Sequence, residues 1–474
     1  MLKDLLKEGG LYTLANFLTK GISLLLIPFY TAYFTPSEYG VIDILTVFGV
    51  FAGNIFSLQL NQGLARFVTE PSNSKSNKIE YASTAFITYL IFMSLFLLMA
   101  ISFSNQIISQ LSPNGLLEKD TFLLASIVIF LNNIFYFLNV YLRFIRKVKT
   151  VSFLSFLHAI FGILLLLYFV FQKGIRLNSF FLPFIIIVPF LIVTQLVILK
   201  DKLKPQFTFS KFKELAKYSI PLIGGAVALV LMNLIDRVFI NSYLGENQLG
   251  VYGIGIKFAS IIGIIVAGFG TALSPLIYEK YNKESTKTEL SELFKLFIGI
   301  GVGGSLFISL FSMEIVRFFT SFSYYNAGKI LPIMIFTTLF SGFLMFSPGL
   351  QIRKKTVMIS FLALIFALLN VLMNYLLIPK YGLYGAAFST LIATMLYAII
   401  YFKLSNLVYS FKYSFLKTII PFLFSLVVIL IFSFYNFNNA FFYKIIIIVI
   451  YIWTTYKLGL FNRIIRNVKH NGKF

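Results

Sequence analysis

Residues 229–244 read LVLMNLIDRVFINSYL. Eleven of these sixteen residues are apolar or aromatic, as in a helix in lipid, yet Asp236 and Arg237 stand side by side within it. A charge at mid-bilayer costs about 2.5–3.5 kcal/mol on insertion scales, so it is retained where it faces water or a partner. The stretch therefore predicts a membrane helix with one wet face.

The rest of the chain agrees. It has 474 residues, 58% hydrophobic and 12% charged, against about 25% charged in a soluble domain. A spanning helix needs about 20 mostly apolar residues, and about fourteen such runs follow one another, beginning near Glu8, Val41, Ala82, Phe122, Val151, Phe180, Ser219, Gly250, Phe294, Ile330, Ile359, Tyr384, Thr418 and Phe441. The first is too long for the core of a cleaved signal peptide and reads as a retained helix. Cysteine is absent, and the two histidines, His158 and His470, lie far apart, so thiolate chemistry, disulfides and a His/Cys metal cluster are not expected.

The net charge of +23 raises the question of nucleic acid. Placement answers it. With both termini on the cytoplasmic side, thirty of the 40 Lys and Arg fall in cytoplasmic segments, seven in external loops, and three (Lys20, Arg237 and Lys257) inside spans. That bias is the topology signal of an inner-membrane protein, not a nucleic-acid footprint. The longest external loops, near Asn105–Asp120 and Glu314–Gly328, are about sixteen residues, and no phosphate-binding G-x-x-x-x-G-K-[ST] occurs. GIGVGG at 299–304 fits G-x-G-x-x-G, but it lies inside span 9 with no strand before it, so close helix packing or a flexible point is expected there rather than a dinucleotide. No cofactor is expected.

The chain also repeats itself. YFTPSEYGV from Tyr33 matches YLGENQLGV from Tyr243, and IRKVKTVSFL from Ile145 matches IRKKTVMISFL from Ile352, at offsets of 210 and 207. Spans 1–6 then recur as spans 7–12. The expected architecture is all-α and polytopic, with two pseudo-symmetric six-helix lobes, 1–208 and 209–410, and two further helices in 411–474. Parallel repeats of this kind place a transport site between the halves near mid-membrane.

Polar residues fall at helical spacing on several spans: Thr13, Asn16 and Lys20; Asn54, Ser57 and Asn61; Asn132, Tyr136, Asn139 and Arg143; Asn233 with Asp236 and Arg237; Gly250, Gly253, Lys257 and Ser260; Asn370 and Asn374. Such stripes serve either interhelical hydrogen bonding or a polar cavity. Four charges, Lys20, Asp236, Arg237 and Lys257, sit within spans 1, 7 and 8; three are basic, which suits a phosphate-bearing substrate. Asp236 is expected to pair with Lys257 or Arg237. Asp43 is expected at the interface, Arg66 at the cytoplasmic mouth, and His158 as a packing residue.

The segment LIPKYGLYGAA, Leu377 to Ala387, resembles a signature of polysaccharide flippases of the Wzx type, of the same MOP superfamily as the lipid II flippase MurJ and the MATE exporters. FYTAYFTPSEYGVIDIL, YSIPLIGGAVALVLMNLIDRVFI (Tyr218 to Ile240), ENQLGVYGIGIKFASI and SPLIYEKY are similar to the family's first external turn, seventh span, eighth span and the segment after it. The resemblance implies a V-shaped bundle whose cavity is lined mainly by spans 1, 2, 7 and 8. It implies an undecaprenyl-diphosphate-linked oligosaccharide, moved to the outer leaflet of the bacterial cytoplasmic membrane for O-antigen or capsule synthesis, and no enzymatic activity. On this reading Lys20, Arg237 and Lys257 attract the diphosphate, Asn16, Asn61 and Asn233 meet the sugars with Arg66 at the mouth, and Asp236 couples to H+ or Na+ or gates. Polysaccharide polymerase machinery is a further expected partner. A MATE-like exporter of small cations, a lipid II flippase, and a membrane polymerase or ligase are the alternatives. The basic surplus and spans 13–14 speak against the exporter, the short loops against the enzyme.

Overall fold

A chain crossing lipid must satisfy its backbone internally, which leaves helices or closed barrels. The computed structural model describes residues 21, 24–70, 73–173, 177–280, 284–353, 355–411, 413–434 and 440–461, and among these there is no strand. Nine helices of the described residues are long and apolar enough to cross a membrane. Two have double length: Phe209–Gly270 with 62 residues and Val357–Asn406 with 50. At 1.5 Å per residue the first would extend about 90 Å, three times the hydrocarbon core. Each is instead interrupted by one non-helical glycine, Gly245 (φ 83°, ψ 169°) and Gly382 (φ 57°, ψ −135°). Gly382 lies in LIPKYGLYGAA, and a Cβ at Gly385 in the same motif would overlap the Leu377 carbonyl. The motif is therefore the tight turn between two spans.

Lipid-facing surface is visible directly. The helix Val148–Lys173 leaves Phe153, Leu164 and Phe171 more than half exposed, an arrangement water would not tolerate and acyl chains would.

The chain forms two compact units, Met1–Gly250 and Val251–Phe474. The packing boundary thus falls after span 7, whereas the sequence repeat divides the chain at 208/209. Span 7 belongs to the first unit because its outer half is fastened there, as described below. In that unit Tyr39, Tyr89, Phe122, Phe137 and Tyr141 are fully buried. In the second, Phe294, Phe297, Phe343 and Phe346 meet with ring centroids 5.0–5.8 Å apart. Residues 298–302 of the GIGVGG segment form a single π-helical turn. A Cβ at Gly299 would crowd Phe461, and one at Gly303 would crowd Tyr451. Close packing, not a dinucleotide, accounts for these glycines.

The two copies of the turn motif touch. A Cβ on Gly40 would overlap the Glu246 carbonyl, and a Cβ on Gly250 would overlap the Pro36 carbonyl. Gly40 and Gly250 are 210 residues apart, as are Pro36 and Glu246. Residue i of one copy meets j of the other and j meets i, the reciprocity a local two-fold axis requires.

Candidate functional site: a buried ion pair beside a broken span

Span 2 begins with a strong start signal. Thr35 caps the helix Pro36–Phe56 with a reciprocal capping box to Glu38, and Pro36 occupies the first turn. Asp43 follows seven residues later, about 10 Å along the helix. Its Oδ2 accepts from Arg237 Nε at 2.7 Å, with the side chains 11% and 4% exposed. The Arg237 guanidinium also donates to the Asn233 carbonyl at 2.8 Å. Asp43, expected near the interface from its position close to the helix start, is a counter-ion of span 7. The sequence could not pair residues 43 and 237, because helix periodicity relates positions only a few residues apart. Asp236, one residue before Arg237, is 2% exposed. Asn233, a turn earlier, is exposed.

Outward from this pair the same helix is stitched to the loop after span 3. Asn241 Nδ2 donates to the Leu111 carbonyl at 2.5 Å. Glu246, 5% exposed, accepts from Ser112 Oγ at 2.7 Å and from Asn114 Nδ2 at 2.6 Å. Ser112 Oγ in turn accepts from the Leu117 amide at 3.2 Å. A buried carboxylate held by neutral donors is costly to create and to break. Glu246 stands in the repeat motif, yet nothing in its local pattern marks it as buried.

Toward the other end, span 2 is interrupted. The helix stops at Phe56 and a second, Leu60–Thr69, takes over. Between them Leu58 (φ 48°) and Gln59 (φ 52°) both take the left-handed conformation. Two consecutive non-glycine residues in that region cost roughly 1–3 kcal/mol each, and such strain gathers at functional sites. Gln59 Nε2 donates to Asn54 Oδ1 at 3.1 Å, and Ser57 Oγ accepts from the Gln59 amide at 3.2 Å, which holds the break in place. The break corrects the expected single stripe of Asn54, Ser57 and Asn61: a change of helical phase separates Asn61 from the other two. Asn61 Oδ1 is buried with no hydrogen-bond partner among the described residues.

Arg66 lies in the last turn of Leu60–Thr69, exposed, with its guanidinium 4.7 Å from the centre of the Tyr218 ring. The short amphipathic helix Phe209–Ser219 carries Tyr218 and packs here; Phe67 stacks on Tyr81 at 4.6 Å, and the Tyr81 hydroxyl donates to Glu214. Lys257 belongs to the second unit and is half-buried, with the Ser260 hydroxyl donating to its carbonyl at 2.6 Å. Lys20 and Asn16 lie outside the described residues. With Asp43 counted, the low-exposure charges described on spans 2 and 7 are three acidic, Asp43, Asp236 and Glu246, against one basic, Arg237; the expected basic surplus is not seen among them.

The stripe asparagines of spans 4 and 11 are engaged in hydrogen bonds. His158 Nε2 lies 3.0 Å from Asn132 Oδ1, with its ring stacked between Phe135 and Phe184. Gln195 Nε2 donates to Asn139 Oδ1 at 3.0 Å. Asn374 donates to Asn370 at 3.2 Å. Among the described residues no three His, Cys, Asp or Glu side chains gather as a metal site.

Residues 5–280 match the family model described as polysaccharide biosynthesis protein, and residues 221–376 match the MatE model. The chain is 29% identical over 276 residues to the capsular polysaccharide biosynthesis protein CapF of Staphylococcus aureus, covering 54% of this chain and 68% of that one. It is 21% identical over 379 residues to an uncharacterized membrane protein of Methanocaldococcus jannaschii, covering 74% and 73%. Among solved structures, the lipid II flippase MurJ in an inward closed conformation superposes with a TM-score of 0.75 at 18% identity, over 96% of this chain and 99% of that one. An inward-facing multidrug resistance MATE family transporter of the MOP superfamily gives 0.69 at 15% identity, over 82% and 94%. These two likenesses establish the fold.

Proposed function

The chain belongs to the polysaccharide biosynthesis protein family, a multi-pass membrane protein with the MOP transporter fold, and from that premise we propose that it is a flippase for lipid-linked oligosaccharides. The substrate is an undecaprenyl-diphosphate-linked repeat unit, carried from the cytoplasmic to the outer leaflet of the bacterial inner membrane, with both termini cytoplasmic. The family match over 5–280 carries this reading, and the placement of strain and charge supports it. In transporters, binding sites form where a spanning helix is discontinuous, and span 2 is broken a turn away from Asn54 and beside Asn61, whose Oδ1 has no partner among the described residues.

In this reading Lys257, Arg237 and Lys20 supply positive potential for the diphosphate, while Asn16, Asn61 and Asn233 bond to sugar hydroxyls and Arg66 guards the cytoplasmic entrance. The lobes 1–208 and 209–410 alternate in access, with 411–474 appended, and Asp236 binds the coupling H+ or Na+. Arg237 is already held by Asp43, so its role is conditional. Its charge is offered to substrate only in a state where that pair opens.

The test is transbilayer movement of a short polyprenyl-diphosphate oligosaccharide in liposomes containing the reconstituted protein. Movement that is lost in Lys257→Ala with the protein still folded supports the reading. Full movement in Lys257→Ala removes that cation from the substrate site. No movement with several glycolipids, alongside ion-driven efflux of organic cations, selects the MATE-like exporter; movement of lipid II alone selects the lipid II flippase. Asp236→Asn is expected to leave substrate binding intact and to abolish the dependence of transport on the ion gradient.

A further inference from the structure

The first compact unit carries another concentration of positive charge. A cavity of about 380 Å³ opens between the start of the helix Lys75–Ser102, the end of Lys119–Phe144 and the segment after Leu177–Leu199. Lys75, Lys78, Arg146 and Lys202 line it, over an apolar floor that includes Val68 and Phe144. No carboxylate among the described residues pairs with any of these four cations. The walls are fixed. Tyr141, buried in the floor, donates its hydroxyl to the Lys202 carbonyl at 3.0 Å, and Ser74 caps the helix that begins at Lys75. Arg146 sits at φ 61°, a left-handed conformation that glycine takes freely and arginine takes at a cost.

Topology alone explains why basic residues lie on this side of the membrane, since any position in these loops serves the positive-inside bias. It does not explain why four of them converge on one cavity with no carboxylate paired to them among the described residues, or why one is held in a strained backbone. Converging cations above apolar walls, beside a helix N-terminus, are the chemistry that recognises a phosphate at a membrane surface. We propose that this cavity binds a phosphate-bearing anion, with its phosphate among Lys75, Lys78, Arg146 and Lys202 and its apolar part on the Val68–Phe144 floor. The phosphodiester of an anionic phospholipid and a soluble phosphate share this chemistry.

The full chain is placed in nanodiscs of phosphatidylcholine with or without phosphatidylglycerol, and retained lipid is read by native mass spectrometry after transfer to neutral detergent. Thermal unfolding with inorganic phosphate is the second arm. Wild type is expected to retain phosphatidylglycerol over phosphatidylcholine. Lys75→Gln/Lys202→Gln is expected to retain it about thirtyfold more weakly, since each basic residue at an anionic surface contributes roughly a factor of five. Arg146→Gly removes a cation and the strain together, so it loses retention while its lipid-free form unfolds no earlier than wild type. That second variant keeps the test valid if the double variant fails to fold. Protection by inorganic phosphate that disappears in Arg146→Gly, with no lipid preference, assigns the same site to a soluble phosphate. Equal lipid retention and equal phosphate response in wild type and Arg146→Gly overturn the proposal.

Discussion

Span 4 and span 2 look alike as sequences and behave differently as structures. Both carry asparagines at helical spacing in an apolar run. In span 4 the helix Lys119–Phe144 is continuous, and Asn132 and Asn139 are consumed by His158 and Gln195 on neighbouring helices. In span 2 the helix breaks at Ser57–Gln59, Asn61 is left with a buried oxygen unbonded among the described residues, and Asp43 is tied to Arg237. The first arrangement spends polarity on holding helices together. The second holds a strained break and a buried ion pair, which a fold keeps only where the surroundings enforce them. The difference separates scaffold from site.

The sharpest way to break the comparison is Asp43→Asn. It removes the Asp43 carboxylate from the buried Arg237, and breaking a buried pair costs roughly 3–5 kcal/mol. The thermal unfolding midpoint of the detergent-solubilised protein should fall steeply and recover in Asp43→Asn/Arg237→Gln. An unchanged midpoint in the single variant would mean the pair holds nothing.

Gly250→Val drives a side chain into the Pro36 carbonyl, and overpacking of this kind costs typically 1–3 kcal/mol. The reciprocal Gly40→Val should match it in size if the two turns are related by a local two-fold axis. Clearly unequal losses would show that the two contacts are not equivalent. In span 4, Asn139→Leu should cost about 0.6 kcal/mol, the mean for interhelical hydrogen bonds in a membrane, and leave transport at the wild-type rate. A transport defect there would move span 4 from scaffold to site. Asn61→Leu is the smallest in stability, near zero because no bond to a described residue is lost, yet it should slow glycolipid movement. Normal transport would remove Asn61 from the site.

Much of this could be read before any coordinates. Hydropathy marks the nine long apolar helices of the described residues, because burial in lipid demands about twenty apolar residues whatever the partners. GIGVGG reads as close helix packing, and Gly299 does sit at a close approach; LIPKYGLYGAA stands out only as a family resemblance, and its role as a turn at Gly382 comes from the structure. The offset of 210 was legible as residue identity, and the structure added that Gly40 and Gly250 touch. His158 was expected to be a packing residue, and its ring is sandwiched accordingly. The site was less legible. Asp43 gave no sign of its partner, since 194 residues separate it from Arg237. The break at Leu58–Gln59 carries neither glycine nor proline, so no local residue announced it, and the predicted stripe through Asn61 failed there. Glu246 stands in the repeat motif, whose pattern carries no sign of its burial.

The sequence by itself determined what each segment can tolerate: lipid for the apolar runs, the basic side of the membrane for the loops, a tight turn at its glycines. These are properties of a residue and its near neighbours, set by transfer free energy and backbone sterics. Which charge meets which, where a helix yields its hydrogen bonds, and which asparagine is left unsatisfied were decided by the tertiary structure. Those outcomes depend on distances between helices far apart in the chain, and within a low-dielectric interior a few ångströms separate a stabilised charge from a prohibitive one.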